Sequence, residues 1–134
     1  MMIMIHINRT MAYRLLTLVE LAANPGRTLT KGEIARRRKI PGSYLGQVAS
    51  ALARTGLVVS RRGPRGGLKL ARDPENIPLA EVLPHPRHDT NESPVLDHLD
   101  ELLNSTLRRT LEKLTLKDLL AWDRQAKATM NYVI

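Results

Sequence analysis

Residues 57–72 read LVVSRRGPRGGLKLAR, two short apolar runs joined by a turn rich in glycine. Glycine tolerates positive φ and proline fixes φ, so together they supply the backbone conformations that a tight hairpin needs. Three arginines lie at or beside this turn, namely Arg61, Arg62 and Arg65. The stretch predicts a β-hairpin with a positively charged tip, which is typical of a wing that contacts DNA.

The residues before the hairpin predict three helices in a fixed order. Apolar residues recur at helical spacing from about residue 10 to residue 23, and an Asn-Pro-Gly break follows. Thr30 and Glu33 form a capping-box pattern at the start of a short second helix. A third helix is expected over 43–55, with Gly56 as its cap. Helices, tight turn and hairpin together predict a winged helix-turn-helix whose third helix enters the major groove.

The second half of the chain predicts further helices. A short helix is expected over 77–83, with Pro78 in its first turn, and a polar loop follows over 84–93. Thr115 and Asp118 form another capping-box pattern and open a last helix. The fold class is therefore mainly α with a small β-hairpin. The expected organisation is a DNA-binding domain over 1–83, the loop, and a dimerisation helix with a C-terminal helix over 94–134.

Leucines mark one face of the helix expected over 94–114. They recur every three or four residues and continue to Leu114. Burial of this stripe against a second copy of the chain predicts a homodimer, and packing back onto the chain's own domain is the alternative. The residues expected in the dimer interface are Leu96, Leu99, Leu103, Leu107 and Leu111.

Charge is distributed unevenly along the chain, whose formal net charge is +8. Residues 27–72 contain 12 lysines and arginines and the single acid Glu33, a local balance of +11. Residues 73–134 contain 7 basic and 11 acidic residues. A basic segment of this density favours nucleic acid, because phosphates neutralised by the protein release condensed counterions.

Several function classes lack support in the sequence. The chain has no cysteine, which excludes disulfides and cysteine-ligated clusters. No apolar stretch approaches the length of a membrane span, so a cytoplasmic protein without membrane contact is expected. The glycines of residues 63–67 lack the strand-to-helix setting of a phosphate-binding loop. No nucleophile constellation is visible either, so no enzyme is predicted.

The motifs resemble those of the Rrf2 family of bacterial transcription regulators over nearly the whole chain. The resemblance is carried by Ile34-Ala35, Ser43-Tyr44-Leu45, Gln47, Gly56-Leu57-Val58, Arg62-Gly63, Gly66-Gly67, Leu70-Ala71-Arg72 and Ile77, with Tyr13 and Glu20-Leu21-Ala22 before them and residues 115–119 after them. It implies a homodimer on a pseudo-palindromic operator, with repression as the usual outcome.

The resemblance also implies which residues meet the DNA. The start of the third helix corresponds to Ser43, Tyr44 and Gln47, and a glutamine amide can bridge the N6 and N7 edge of adenine. Position 46, acidic in some relatives, is Gly46 here, so the base preference of those relatives does not transfer.

Two groups of cations complete the expected DNA contacts. The resemblance carries over Arg62, which we expect near the minor groove together with Arg61 and Arg65. The alternative is that these three arginines touch only phosphates. The cations of the second helix are expected to contact the DNA backbone, and these are Arg36, Arg37, Arg38 and Lys39.

The sensor region departs from the family. Relatives that bind an iron–sulfur cluster place three cysteines between the wing domain and the dimer helix, and this chain has none, so no cofactor is expected. His85, His88 and Asp89 could ligate a transition metal, but an ordinary polar loop is the favoured interpretation and no metal ligand is assigned.

The leading hypothesis is a dimeric, sequence-specific regulator of transcription that binds double-stranded DNA without a cysteine-ligated cluster. One alternative is a winged-helix module that binds nucleic acid nonspecifically or docks a protein partner. Another is a sensor whose small-molecule effector occupies a pocket beside the long helix.

Overall fold

The computed structural model of the chain describes residues 7–83 and 93–132. Its elements follow the order helix, helix, helix, hairpin, three helices, with one 3₁₀ turn after the hairpin. They are α1 (Arg9–Ala22), α2 (Lys31–Arg38), α3 (Gly42–Arg54), β1 (Val58–Arg61), β2 (Gly67–Leu70), the 3₁₀ turn (Pro74–Asn76), α4 (Leu79–Val82), α5 (Pro94–Lys113) and α6 (Leu116–Tyr132). This order confirms the predicted winged helix-turn-helix and the mainly α class.

Side-chain caps define the starts of two of the predicted helices. At α2, Thr30 Oγ1 accepts a hydrogen bond of 3.1 Å from the Glu33 backbone N–H. At α6, Asp118 Oδ2 accepts one of 2.9 Å from the Thr115 backbone N–H. Each contact satisfies a backbone donor that the first turn of a helix leaves free, so the capping patterns placed both helix starts correctly.

Residues in the left-handed conformation end helices α2 and α3. Lys39 ends α2 with φ of 55°, although residues other than glycine adopt this conformation uncommonly. Gly56 follows α3 with φ of 75°, and the next residue, Leu57, donates back to the Leu52 carbonyl over 3.0 Å. Gly56 therefore caps α3 as its position in the sequence predicts.

The wing is fixed at its base to the rest of the domain. β1 and β2 are antiparallel, with Val58 opposite Leu70 and Arg61 opposite Gly67. The backbone of Leu29 joins the other edge of β2 and exchanges hydrogen bonds of 2.9 and 2.7 Å with Leu68. At Gly67 a Cβ would lie 2.2 Å from the Leu29 carbonyl oxygen, so only glycine allows this close approach.

One apolar core joins both halves of the chain. Fully buried residues come from α1, α2, β2 and α6, for example Leu18, Ile34, Leu68 and Leu116. Branched aliphatic side chains fill this core, in agreement with the absence of phenylalanine. Since α6 packs directly on α1, the last helix supports the winged helix-turn-helix.

The helix expected over 77–83 is shorter than predicted. It spans only Leu79–Val82, and Pro78 precedes it in an extended conformation. The reason is a long-range pairing: Leu79 N–H donates to the Leu114 carbonyl over 2.8 Å, and Leu116 N–H donates to the Ile77 carbonyl over 2.9 Å. Ile77 is thus held in an extended conformation beside the β-bridge that Pro78 forms with Thr115. The predicted loop lies almost entirely outside the described residues, which resume at Ser93.

The leucine stripe of α5 divides into two parts. Leu111 is buried in the protomer's own core, and Leu107 and Leu114 pack against that core. Towards the start of the helix, Leu96 and Leu99 are exposed, and Leu103 is half-buried. Packing onto the chain's own domain, the alternative interpretation, therefore holds for the second half of α5. The first half leaves an apolar face open.

Among the residues that the structure describes, none of the helices combines the length and apolar character of a membrane span.

Candidate nucleic-acid interface

Helix α3 presents a polar edge to solvent. Its apolar residues Leu45, Val48, Ala49 and Leu52 are all buried in the core, which fixes the rotation of the helix about its axis. The three residues predicted to meet bases, Ser43, Tyr44 and Gln47, are exposed on the opposite side near its first turns. Hydrogen-bonding groups on an exposed helix of this kind are suited to base edges in a major groove.

Tyr44 is held in place by a second ring. The centroids of the Tyr44 and Tyr13 rings lie 5.5 Å apart and the ring planes are tilted by 58°. Aromatic pairs at this separation attract one another, and the contact joins the start of α3 to the start of α1. Tyr44 therefore projects from a supported position.

The wing groups three arginines around its turn. Arg61, Arg62 and Arg65 are exposed, and none of them forms an ion pair with any residue in the described part of the chain. The tip is closed by a hydrogen bond of 2.8 Å from Gly66 N–H to the Gly63 carbonyl. Three guanidinium groups around a small, fixed turn make a concentrated positive surface.

The cations of α2 differ from one another. Arg36 and Lys39 are exposed, as a contact with the DNA backbone requires. Arg37 is 36% exposed at its side chain and reaches Glu20 over 3.3 Å. The side chains of Arg36, Arg37 and Lys39 are therefore accessible at the surface, and Arg37 is the one that also forms an ion pair.

Arg38 is placed inside the protein, in contrast to its expected contact with DNA. Its side chain is 9% exposed and its Nε donates to Glu20 Oε2 over 2.8 Å. Its terminal nitrogens donate to the two carboxylate oxygens of Asp123 over 2.8 and 3.0 Å. These hydrogen bonds raise the pKa of Arg38, Asp123 contributing most, and lower the pKa of Asp123. Arg38 joins α2 to α1 and α6 and is not part of the candidate DNA surface.

Sequence reasoning missed two further arginines. Arg14 of α1 and Arg54 of α3 line a groove of about 540 Å³ that also includes Tyr44 and Gln47. In the sequence, Arg14 is distinguished only as a cation among the mostly apolar residues of the first helix. Arg54 is indicated only by its place on the same side of α3 as Gln47, seven residues further on.

Metal-ligating side chains do not form a cluster in the described part of the chain. The chain has no cysteine, and within residues 7–83 and 93–132 no three His, Asp or Glu side chains come together as a metal site. His85, His88 and Asp89 lie outside the described residues, and His98 is exposed. The donor set thus does not fit a cysteine-ligated cluster.

Known proteins resemble this chain in sequence. The profile of the family described as "Rrf2: Iron-dependent Transcriptional regulator" matches residues 7–85. A candidate HTH-type transcriptional regulator of Aquifex aeolicus is 32% identical over 127 residues, covering 83% of this chain and 88% of that protein. The HTH-type transcriptional regulator IscR of Cereibacter sphaeroides is 38% identical over 74 residues, covering 53% of this chain and 48% of IscR.

Solved structures extend the resemblance to the long helices. The global cysteine regulator CymR of B. subtilis superposes with a TM-score of 0.75 at 28% identity, covering 89% of this chain and 98% of CymR. IscR of T. potens gives a TM-score of 0.75 at 26% identity, covering 91% and 90% of the two chains. The likeness therefore includes the C-terminal helices as well as the wing domain.

Proposed function

Because this chain belongs to the Rrf2 family, it is a DNA-binding regulator of transcription and not an enzyme, and we propose that it represses transcription as a homodimer on a pseudo-palindromic operator. The observation that carries the proposal is an exposed polar edge on α3 together with three exposed arginines on the wing, which have no ion pair among the described residues. One element can read bases while the other holds the backbone. We also propose a cytoplasmic location, because a bacterial regulator that binds promoter DNA works where that DNA lies.

Gln47 is assigned the main base-reading role. Its side chain is exposed on α3, one turn after the supported ring of Tyr44. An amide that donates and accepts in one plane matches the N6 and N7 edge of adenine, whereas hydroxyls such as that of Ser43 serve bases and phosphates alike. Arg36, Arg37 and Lys39 are assigned to the backbone.

Replacing Gln47 tests base reading directly. We expect Gln47→Ala to weaken binding to the operator by about 1–3 kcal/mol and to leave binding to a scrambled duplex nearly unchanged. Fluorescence anisotropy with DNA from upstream of the protein's own gene measures both affinities. Gln125→Ala, which removes an exposed amide from α6, is the matched control. Equal losses on the two duplexes would remove the base-reading role.

The dimer is proposed from the open face of α5. Val95 is 77% exposed and Leu96 is 56% exposed, and Leu99 and Leu102 continue the apolar surface along the helix. Exposed apolar side chains grouped on one helix favour burial against a partner, and a two-fold dimer would bring two such faces together. Two wing domains are also what a pseudo-palindromic site requires.

Charged residues on that face should separate the protomers. We expect Leu96→Asp combined with Leu99→Asp to give a folded monomer, because both side chains are already exposed in the protomer. Light scattering measures the mass, and operator affinity should fall by orders of magnitude since one subunit covers one half-site. Val59→Asp is the control for the mass, because Val59 and Leu99 are each 49% exposed and Val59 lies outside α5. A stable dimer of the double variant would contradict this interface.

A further inference from the structure

A groove lies between the first turns of α1 and the exposed edge of α3. Its volume is about 540 Å³, a size at which proteins bind ligand groups, and it is open to solvent. The side chains that matter for its chemistry are Thr10, Tyr13, Arg14, Tyr44, Gln47 and Arg54. No acidic residue lines the groove in the described part of the chain.

Arg14 is the unusual member of this group. Its Nε atom is buried without a hydrogen-bond partner. Within residues 7–83 and 93–132 its guanidinium also has no ion pair. A partly buried guanidinium without an ion pair is unfavourable, so Arg14 is suited to bind an anion that enters the groove.

Arg54 supplies a second positive group to the same groove. It is the last helical residue of α3, it is exposed, and no residue in the described part of the chain pairs with it. The hydroxyls of Thr10 and Tyr13 add neutral donors. Two cations and several donors without an acid make a site for an oxyanion whose oxygens accept several hydrogen bonds.

We propose that this groove binds a phosphate of the operator strand that borders the major groove entered by α3. The inference rests on the proposed function. DNA is favoured as the source of the phosphate because Tyr44 and Gln47 belong both to the groove and to the predicted base-reading edge. A duplex engaged by those two side chains brings its own backbone to the mouth of the groove.

The site gives α1 a role in recognition. Arg14 and Arg54 clamp one strand beside the bases that Gln47 reads, and the contact between Tyr13 and Tyr44 joins the clamp to the reading helix. Contacts with phosphates carry no sequence information themselves, but they fix the register in which a helix lies on the duplex.

Neutral replacements test the clamp. We expect Arg14→Gln and Arg54→Gln each to weaken operator binding by about tenfold. Each should also reduce the slope of log affinity against log salt by about 0.9, as the loss of one phosphate contact requires. Arg124→Gln, which removes an exposed charge from α6, should leave the affinity and the slope unchanged. Arg14→Lys, which retains the charge, should keep the slope of the native protein.

Chemically modified DNA identifies the phosphate. A series of duplexes is prepared, and in each of them one phosphate beside the half-site is replaced by a neutral methylphosphonate. The position of the replacement moves by one nucleotide from one duplex to the next. The native protein should lose affinity at one or two adjacent positions, and Arg14→Gln and Arg54→Gln should be insensitive to the same modifications. This cycle separates a direct contact from a general weakening of the protein.

The outcomes distinguish the two proposals. If the native protein does not prefer any operator over scrambled DNA, the proposed function fails. If it does prefer one, but the Arg14 and Arg54 variants behave like Arg124→Gln, the phosphate clamp is overturned. A second result would also overturn the clamp. Inorganic phosphate would raise the melting temperature of the native protein but not that of Arg14→Gln, and every methylphosphonate would change the DNA affinity of the two proteins equally.

Discussion

Helix α2 and the wing each contain three arginines within a few residues, and the two groups have different surroundings. In α2 two of the three arginines meet carboxylates: Arg37 and Arg38 reach Glu20, and Arg38 also reaches Asp123. The wing projects from the domain, and its three arginines have no such partner among the described residues. A local excess of positive charge indicates a DNA contact only where packing leaves that charge free.

The largest effect on stability is expected at Arg38. Arg38→Ala leaves the Glu20 side chain, 7% exposed, with only one arginine and leaves Asp123 without its bidentate partner. We expect the free energy of unfolding to fall by about 2–4 kcal/mol, because breaking a largely buried ion pair takes from two carboxylates the arginine that donates most of their hydrogen bonds. Urea unfolding followed by circular dichroism measures it, with exposed Arg36→Ala as the control. Equal free energies of unfolding for the two variants would show that Arg38 contributes no more to stability than exposed Arg36.

A smaller effect, dependent on pH, is expected at Asp123. The hydrogen bonds from Arg38 lower the pKa of Asp123 in the folded state, so this carboxylate stabilises the fold above its unfolded pKa of about 3.9. That stabilisation is lost as the pH falls through the folded pKa. Asp123→Asn should therefore cost about 1–2 kcal/mol at pH 7, and the difference should close below about pH 4.

Denaturant unfolding from pH 3 to pH 7 follows this difference between native protein and variant. Asp73→Asn serves as the control, because Asp73 is exposed and has no ion pair in the described part of the chain. The difference in the free energy of unfolding between Asp123→Asn and the native protein would contradict this prediction if it stayed constant down to pH 3. The ionised carboxylate would then not be what stabilises the fold.

The smallest effect on stability is expected in the wing. Arg62→Ala should leave the free energy of unfolding within about 0.5 kcal/mol of the native value, because the side chain is exposed and unpaired among the described residues. If Arg62 neutralises one phosphate, the salt slope of DNA binding should fall by about 0.9. Anisotropy titrations at several salt concentrations measure it. An unchanged slope with lower specificity would instead favour contact with the minor groove.

Sequence patterns predicted the elements that depend on neighbouring residues. The exit at Gly56 and the caps at Thr30 and Asp118 are determined within a few residues of chain, and the structure has each of them. The family motifs likewise placed the predicted DNA-contacting side chains of α3 and the wing at the surface.

Long-range packing explains what the patterns did not predict. Arg38 was grouped with its basic neighbours because Asp123, its partner, lies 85 residues away in the chain. The period of the leucines in α5 identified an apolar face, but the period does not specify what covers that face. The protomer's own core covers Leu111, whereas Leu96 and Leu99 are exposed. The helix expected over 77–83 was shortened by pairing with residues 114–116.

The pairing of residues 77–79 with residues 114–116 bears on how the molecule tolerates insertions. Pro78 and Thr115 form a β-bridge, so the chain leaves one point of the fold and returns to the same point after the intervening residues. Lengthening a segment whose ends are already joined costs little, because the entropy of closing a loop grows only with the logarithm of its length. Residues added between these two bridge partners are therefore expected to cost little stability and to leave the winged helix-turn-helix in place.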